Sequence, residues 1–445
     1  MRDESKHESA VQTVIGRPAA YPSAVGPTEI DTRAHGHCKP PIAQRELVVM
    51  AAFLMALHAL SIDTMLPALD DIARSFGVAD GNQRQFIISF FLMGGGIGCL
   101  LPGFLSDRFG RRPVLLIALL ANIVIGLVIS FVNNFHALLA MRVVQGLCTA
   151  SLIVVPTAVV RDLYDGDRMA KLLSLVGAVF ITIPVLAPSL GQAILHFVEW
   201  RWIFRFLAIL SVGAVLWVHF RLPETLDPQS RQSVKLDIIA YNMGAALTKR
   251  RSSGYVFGAM LMTGALFGYL NSSQQLISEH MGAGDLFPLI FGLTAMTMMF
   301  SNIVNSRIVE RFGARRVSHA GILAYIVVSL AQLWAAIYRD GELAWFVPLI
   351  ALNLGLVGFL TANLGAIAMQ PFASSAGSAS SAQAFARLLG AALIGMTIGQ
   401  AYDGTALPLA AALLICSILA LLLVLWSEKG KLFRRLNPPR RRHSP

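Results

Sequence analysis

Twelve stretches of about twenty apolar residues, separated by short polar connections, constrain this chain more than anything else in it. A helix needs about 20 apolar residues to cross the hydrocarbon core of a bilayer. Lipid leaves the backbone of an open chain no alternative to continuous helix, because every N–H and C=O must be satisfied internally. The spans fall at 46–68, 86–106, 113–132, 136–160, 171–195, 202–220, 254–277, 287–306, 317–338, 344–369, 379–401 and 405–427. Composition agrees: 55% of the 445 residues are hydrophobic and only 14% charged, against about 25% charged in an ordinary soluble domain. A disordered scaffold and a set of soluble domains are both poor fits to that balance. Residues 1–45 are polar and contain no apolar run, so they read as a mobile tail rather than a signal peptide. Cys38, Cys99, Cys148 and Cys416 lie far apart with no CxxC pair, so neither a disulfide framework nor a metal site is expected.

The basic residues give the orientation. If the twelve spans are right, one side carries 29 of the 36 Lys and Arg, the other side 4, and Arg142, Arg205 and Arg387 lie within spans. By the positive-inside rule the richer side, which holds both termini, is cytoplasmic. A net charge of +11 divided in this way points to a lipid bilayer as the partner and not to nucleic acid. The chain also repeats itself: Asp107-Arg108-Phe109-Gly110 after span 2 returns as Glu310-Arg311-Phe312-Gly313 after span 8. The expected architecture is an all-α membrane protein of twelve transmembrane helices in two six-helix bundles, 46–221 and 254–427. A linker at 222–253 joins them and a basic tail at 428–445 follows. A substrate site is expected where the halves meet.

The strongest local motif is Gly103-Phe-Leu-Ser-Asp107-Arg108-Phe-Gly110-Arg111-Arg112. Taken alone, its arginines would suit any basic loop. The full spacing resembles the signature loop of the major facilitator superfamily, where the acidic residue and arginines form a cytoplasmic latch. The resemblance carries that role to Asp107, Arg108 and Arg112. The second copy keeps Glu310 and Arg311 but has Ser306 in place of the first glycine and Ala314 in place of an arginine, which implies a weaker latch. Arg142-Val-Val-Gln145-Gly146 in span 4 resembles another element of the superfamily. Gly177 through Pro184-Val-Leu-Ala-Pro188-Ser-Leu-Gly191 in span 5 is similar to the Gly/Pro element of drug:proton antiporters. Ser61-Ile-Asp63, Trp200-Arg201-Trp202, Leu222-Pro-Glu224 and Tyr402-Asp403-Gly404 resemble the bicyclomycin-resistance (Bcr/CflA) branch.

An ionisable group inside a span needs a reason to be there. From spacing alone Asp63 reads either as the residue that ends helix 1, with Pro67 following, or as a buried acid that loads and releases protons. The resemblance implies protonation. Arg142 reads either as a cation supporting charged Asp63, directly or through Gln145, or as a brace between helices. Arg387 reads either as a contact for an anionic or electronegative substrate group or as a partner of buried backbone. His58 reads as a satisfied interior residue or a proton relay. Met55 stands where some related antiporters carry a second acid, so neutral or zwitterionic substrates are the expected class.

Pro184 and Pro188 are expected to kink span 5, with Gly177 and Gly191 allowing close packing. Tyr269, Asn271, Gln274, Asn353, Asn363 and Gln383 complete the candidate pocket with Arg387. The reading is a monomeric bacterial inner-membrane antiporter that exports small, mostly hydrophobic compounds in exchange for protons. Its alternative is an exporter of a small metabolite such as a sugar or amino acid. No cofactor is implied, and without a Ser/His pair or a phosphate loop an enzyme is not expected.

Overall fold

A computed structural model describes residues 42–164, 166–226, 244, 247–340 and 342–433. The expectations for the N-terminal tail, most of the linker and the arginines of the C-terminal tail lie outside the described residues. Among the described residues eleven helices are long and apolar enough to cross a membrane, and a bent pair makes the twelfth. Span 1 is Gln44–Asp63, span 3 Arg111–Phe131, span 5 Gly166–Phe197 and span 6 Arg201–Arg221. Span 4 runs Phe135–Thr149 and Ser151–Leu163. Span 7 is Arg250–Gln274, prolonged by a π-helical turn over Gln275–His280. Spans 8 to 12 are Phe287–Phe312, Ala314–Tyr338, Leu343–Met369, Ala376–Gln400 and Leu407–Ser427.

Two prolines decide where helices stop. Span 1 ends at Asp63 because Pro67 lacks the N–H that the Asp63 carbonyl would accept from in a continued helix; a short helix, Leu69–Ser75, follows the turn. Span 2 corrects the expectation of one continuous helix. It is Phe86–Gly98 and Leu101–Phe109, bent by 46° between them. Pro102 offers no donor to the Gly98 carbonyl, so the ladder breaks at Cys99 and Leu100. Span 5, by contrast, stays a single helix through Pro184 and Pro188.

The sequence repeat is also a repeat of packing. Span 1 lies against spans 4, 5 and 6, span 2 against 4, and span 3 against 4 and 6. Adding six to each number gives the contacts of the second half. The halves meet where span 2 packs on 11 and span 5 on 8. Large apolar side chains such as Ile117, Val124, Phe220 and Val327 point outward, exposed. Bilayer, not water, is the solvent such a surface requires.

Each half closes its basic face in a similar way. Gly110 adopts φ +103°, and a side chain there would strike the Glu224 carboxylate. That carboxylate accepts the backbone N–H groups of Arg111 (2.8 Å) and Arg112 (3.2 Å), capping the start of span 3. In the second half Glu428, just beyond span 12, pairs with Arg315 at 2.9 Å, beside Gly313 at φ +84°.

Candidate transport site

A cavity of about 330 Å³ lies between the halves, walled by spans 1, 2, 4 and 5 on one side and 7, 8, 10 and 11 on the other. Its lining is mostly apolar, with Ile62, Leu92, Phe267, Phe291, Met298 and Leu354 prominent. Asp63 reaches it from the last residue of span 1, 5% exposed. Among the described residues Asp63 makes neither a hydrogen bond nor an ion pair. Close approach holds it there, since Gly191 of span 5 lies against the Thr64 carbonyl and the Pro67 ring.

Arg142 does not touch the Asp63 carboxyl. Its guanidinium donates to the carbonyls of Ser61 (3.0 Å) and Ile87 (3.0 Å) and to Gln145 Oε1 (2.7 Å), over the Phe91 ring. Gln145 in turn donates to Asn122 Oδ1 (3.1 Å), and Asn122 to Ser211 (2.9 Å). The pair therefore ties spans 1, 2, 3, 4 and 6 together, and in this state it carries the bracing reading. His58 lines the cavity and bonds Thr149 at 3.1 Å.

Tyr269 and Arg387 line the cavity. Tyr269 stacks on Phe291 and meets Thr294 at 3.3 Å. Arg387 also lines a second cavity of about 220 Å³ toward the basic face, with Gln383, Val256 and Met369. Gln383 belongs to that second cavity and donates to the Ala368 carbonyl at 3.2 Å. Asn271, Gln274, Asn353 and Asn363 do not line the central cavity, which corrects their assignment. Asn271 accepts from Ser89 across the seam (3.1 Å), Asn353 accepts from Ser329 (3.0 Å), and Asn363 donates to Asn305 (2.8 Å). Gln274 is buried with its Oε1 unpartnered. A mid-helix amide in lipid finds a neighbouring helix as readily as a ligand. The lining groups that sequence reasoning does not find, among them Thr263, Thr294 and Asn302, carry no charge to mark them.

The residues expected to act in gating divide. Asp107 pairs with Arg111, not with Arg108 or Arg112, and Arg111 also bonds Asp162 at 2.8 Å and Ser106 at 2.7 Å. Arg112 donates to the His219 carbonyl (2.5 Å), and Arg108 lies over Phe109. These contacts stay within the first half. Gly103 faces Ser381 of span 11, and a methyl group added to it would lie 3.7 Å from Ser381 Oγ. Pro184 lines the cavity and Pro188 is buried. Gly177 corrects its expected role: among the described residues nothing lies within 4 Å of where its side chain would be, so no close packing rests on it. Glu310 and Arg311 are exposed, with Arg311 over Phe312.

The seam is held at the face opposite the basic loops. Arg84, buried in the connection between spans 1 and 2, bridges Asp70 of its own half (2.9 Å) and Glu279 of the other. Asn82 donates to the Tyr402 carbonyl at 2.7 Å and accepts from Gln400 at 2.8 Å, and Gln85 donates to Gln275. In the sequence only Arg84 hints at this gate, as an arginine on the side where basic residues are rare.

Two six-helix halves around a mid-membrane cavity, closed at one face, define a membrane transporter of small molecules. The Major Facilitator Superfamily model matches residues 51–395, and the chain belongs to that family, one of transporters and not enzymes. The chain is 27% identical over 379 residues to a bicyclomycin resistance protein homolog of Haemophilus influenzae, covering 84% of this chain and 94% of that protein. It is 28% identical over 386 residues to the multidrug resistance protein MdtL of Klebsiella pneumoniae, covering 84% and 93%. Two solved structures share the fold. The human organic anion transporter MFSD10 (TETRAN) matches with TM-score 0.63 and 18% identity, over 86% of this chain and 99% of that one. The partially occluded inward-open xylose transporter XylE of E. coli matches with TM-score 0.65 and 14% identity, over 87% and 99%.

Proposed function

We propose that this protein is a proton-coupled antiporter that exports small, mostly hydrophobic compounds across the bacterial inner membrane, with its basic face and both termini in the cytoplasm. The observation that carries the reading is Asp63: a buried carboxyl with no partner among the described residues, facing a mostly apolar cavity between the halves. An unpaired acid in such a place is costly unless it is used. Facing the periplasm, Asp63 takes a proton. Facing the cytoplasm, it gives the proton up as substrate enters the same cavity, so one group serves two competing occupants. The halves rock between the two states, and each charge carried inward gains about 2.3 kcal/mol per 100 mV. The seal through Arg84 and Asn82 belongs, on this reading, to the inward-facing state. The apolar lining suits drug-like compounds better than sugars, and the names of the Haemophilus and Klebsiella relatives agree.

The test is Asp63→Asn in inverted vesicles carrying a dye or drug that the wild-type protein moves. Efflux driven by an imposed pH difference should be lost while the protein still reaches the membrane at wild-type level. Undiminished pH-driven transport would remove Asp63 from the mechanism.

A further inference from the structure

The three arginines that the sequence places inside apolar spans, Arg142, Arg205 and Arg387, have different surroundings. Arg142 directs its donors at two carbonyls and Gln145. Arg205 lies over the rings of Phe131 and Trp202 near the start of span 6. Arg387, in the middle of span 11, makes no hydrogen bond or ion pair among the described residues, although a guanidinium carries five donors. It lines both the central cavity and the smaller cavity toward the basic face. Asp63 lines the same central cavity and is equally unpaired. The two opposite charges therefore face one apolar chamber without touching.

An occupant must answer both. A neutral compound leaves each charge without a partner, a cation leaves Arg387 alone, and an anion leaves Arg387 satisfied but faces ionised Asp63. The direction of coupling adds a further constraint. An anion is held best when Asp63 is protonated, so proton and substrate would bind together, whereas exchange requires each to displace the other. A positive centre at Asp63 competes with the proton directly. Resting on the antiport reading above, we infer that the preferred substrates are dipolar: an apolar body with a basic nitrogen for Asp63 at one end and an acidic group for Arg387 at the other. Arg387 is then a specificity-determining contact, which a charge-assisted hydrogen bond equips for about tenfold or greater discrimination.

The test uses the full-length protein purified in detergent at pH 7.5 and three forms of one probe, measured by titration calorimetry. The dipeptide Phe-Phe carries both charges, its N-acetyl form only the carboxylate, and its C-terminal amide only the ammonium. The wild-type protein should bind the free dipeptide at least tenfold more tightly than either capped form. Arg387→Gln should lose about tenfold for the free and acetylated forms and leave the amide unchanged. Asp63→Asn should weaken the free and amide forms and spare the acetylated one. Arg387→Lys, which keeps the charge, should retain a preference for acid over amide. If Arg387→Gln fails to fold, the wild-type series and the lysine variant decide the matter. Equal affinity of wild type for acid and amide, or no binding of any form, overturns the dipolar site. Either result leaves antiport standing if Asp63→Asn still abolishes pH-driven efflux, because equilibrium binding needs no gradient.

Discussion

Arg142 shows how a charged side chain is held inside a bundle without facing a ligand. It is fully buried, and its three acceptors come from spans 1, 2 and 4. Removing it takes a donor from the Ser61 and Ile87 carbonyls and from Gln145 Oε1, all of them buried. Arg142→Ala should therefore cost about 3 kcal/mol or more of stability, read as a lowered melting temperature in detergent. Arg142→Lys should be nearly as costly, since one ammonium cannot span the fork. In the sequence Arg142 stands out as a buried charge, but its partners do not: two are backbone carbonyls, which every residue has. The same blindness misplaces Asn353 and Asn363. Residue type shows that a polar group lies in the membrane, not whether it turns to the cavity or to the neighbouring helix.

Among the elements, span 2 does the most. Its upper segment packs on span 4 within its own half and on span 11 of the other. Gly96 is a point of close approach to span 11: a methyl group there would fall 2.7 Å from the Leu389 backbone nitrogen. No flexible side chain can yield at that place, because the obstacle is main chain. Gly96→Val should leave membrane insertion normal yet cut transport at least tenfold in vesicle assays, since the halves could no longer meet at mid-membrane. Unimpaired transport would show that the seam opens without this contact. The five glycines of span 2 are visible in the sequence, but the helix each one meets is not. The bend also escapes notice there, although Pro102 lies in plain view, because apolar periodicity runs straight across it.

For the molecule as a whole, the polar seal opposite the basic loops is expected to set the balance between facing states. Arg84 is the one ion-pair link in that seal among the described residues, joining Asp70 and Glu279 across the halves. Arg84→Gln should shift the population toward the form open at that face. In a cysteine-free background with Ala59→Cys in the cavity wall, labelling of whole cells by a membrane-impermeant maleimide should rise severalfold. No rise would mean that the seal follows the transition without governing it. The two six-helix halves and their repeat are legible in the sequence because lipid thickness and loop charge are written in runs of residues. The seal is not, because Asn82 and Tyr402 lie 320 positions apart and only folding makes them neighbours.

The break in span 2 changes how the lower mouth can widen. Leu101–Phe109 carries the loop of Asp107 to Arg112, while Phe86–Gly98 stays wedged between spans 4 and 11. The segment below the knee packs on spans 3 and 4 of its own half, so it would swing together with them and its loop while the wedge above holds its grip. Admitting a bulkier passenger would then require flexing one joint and not prising apart the whole midline.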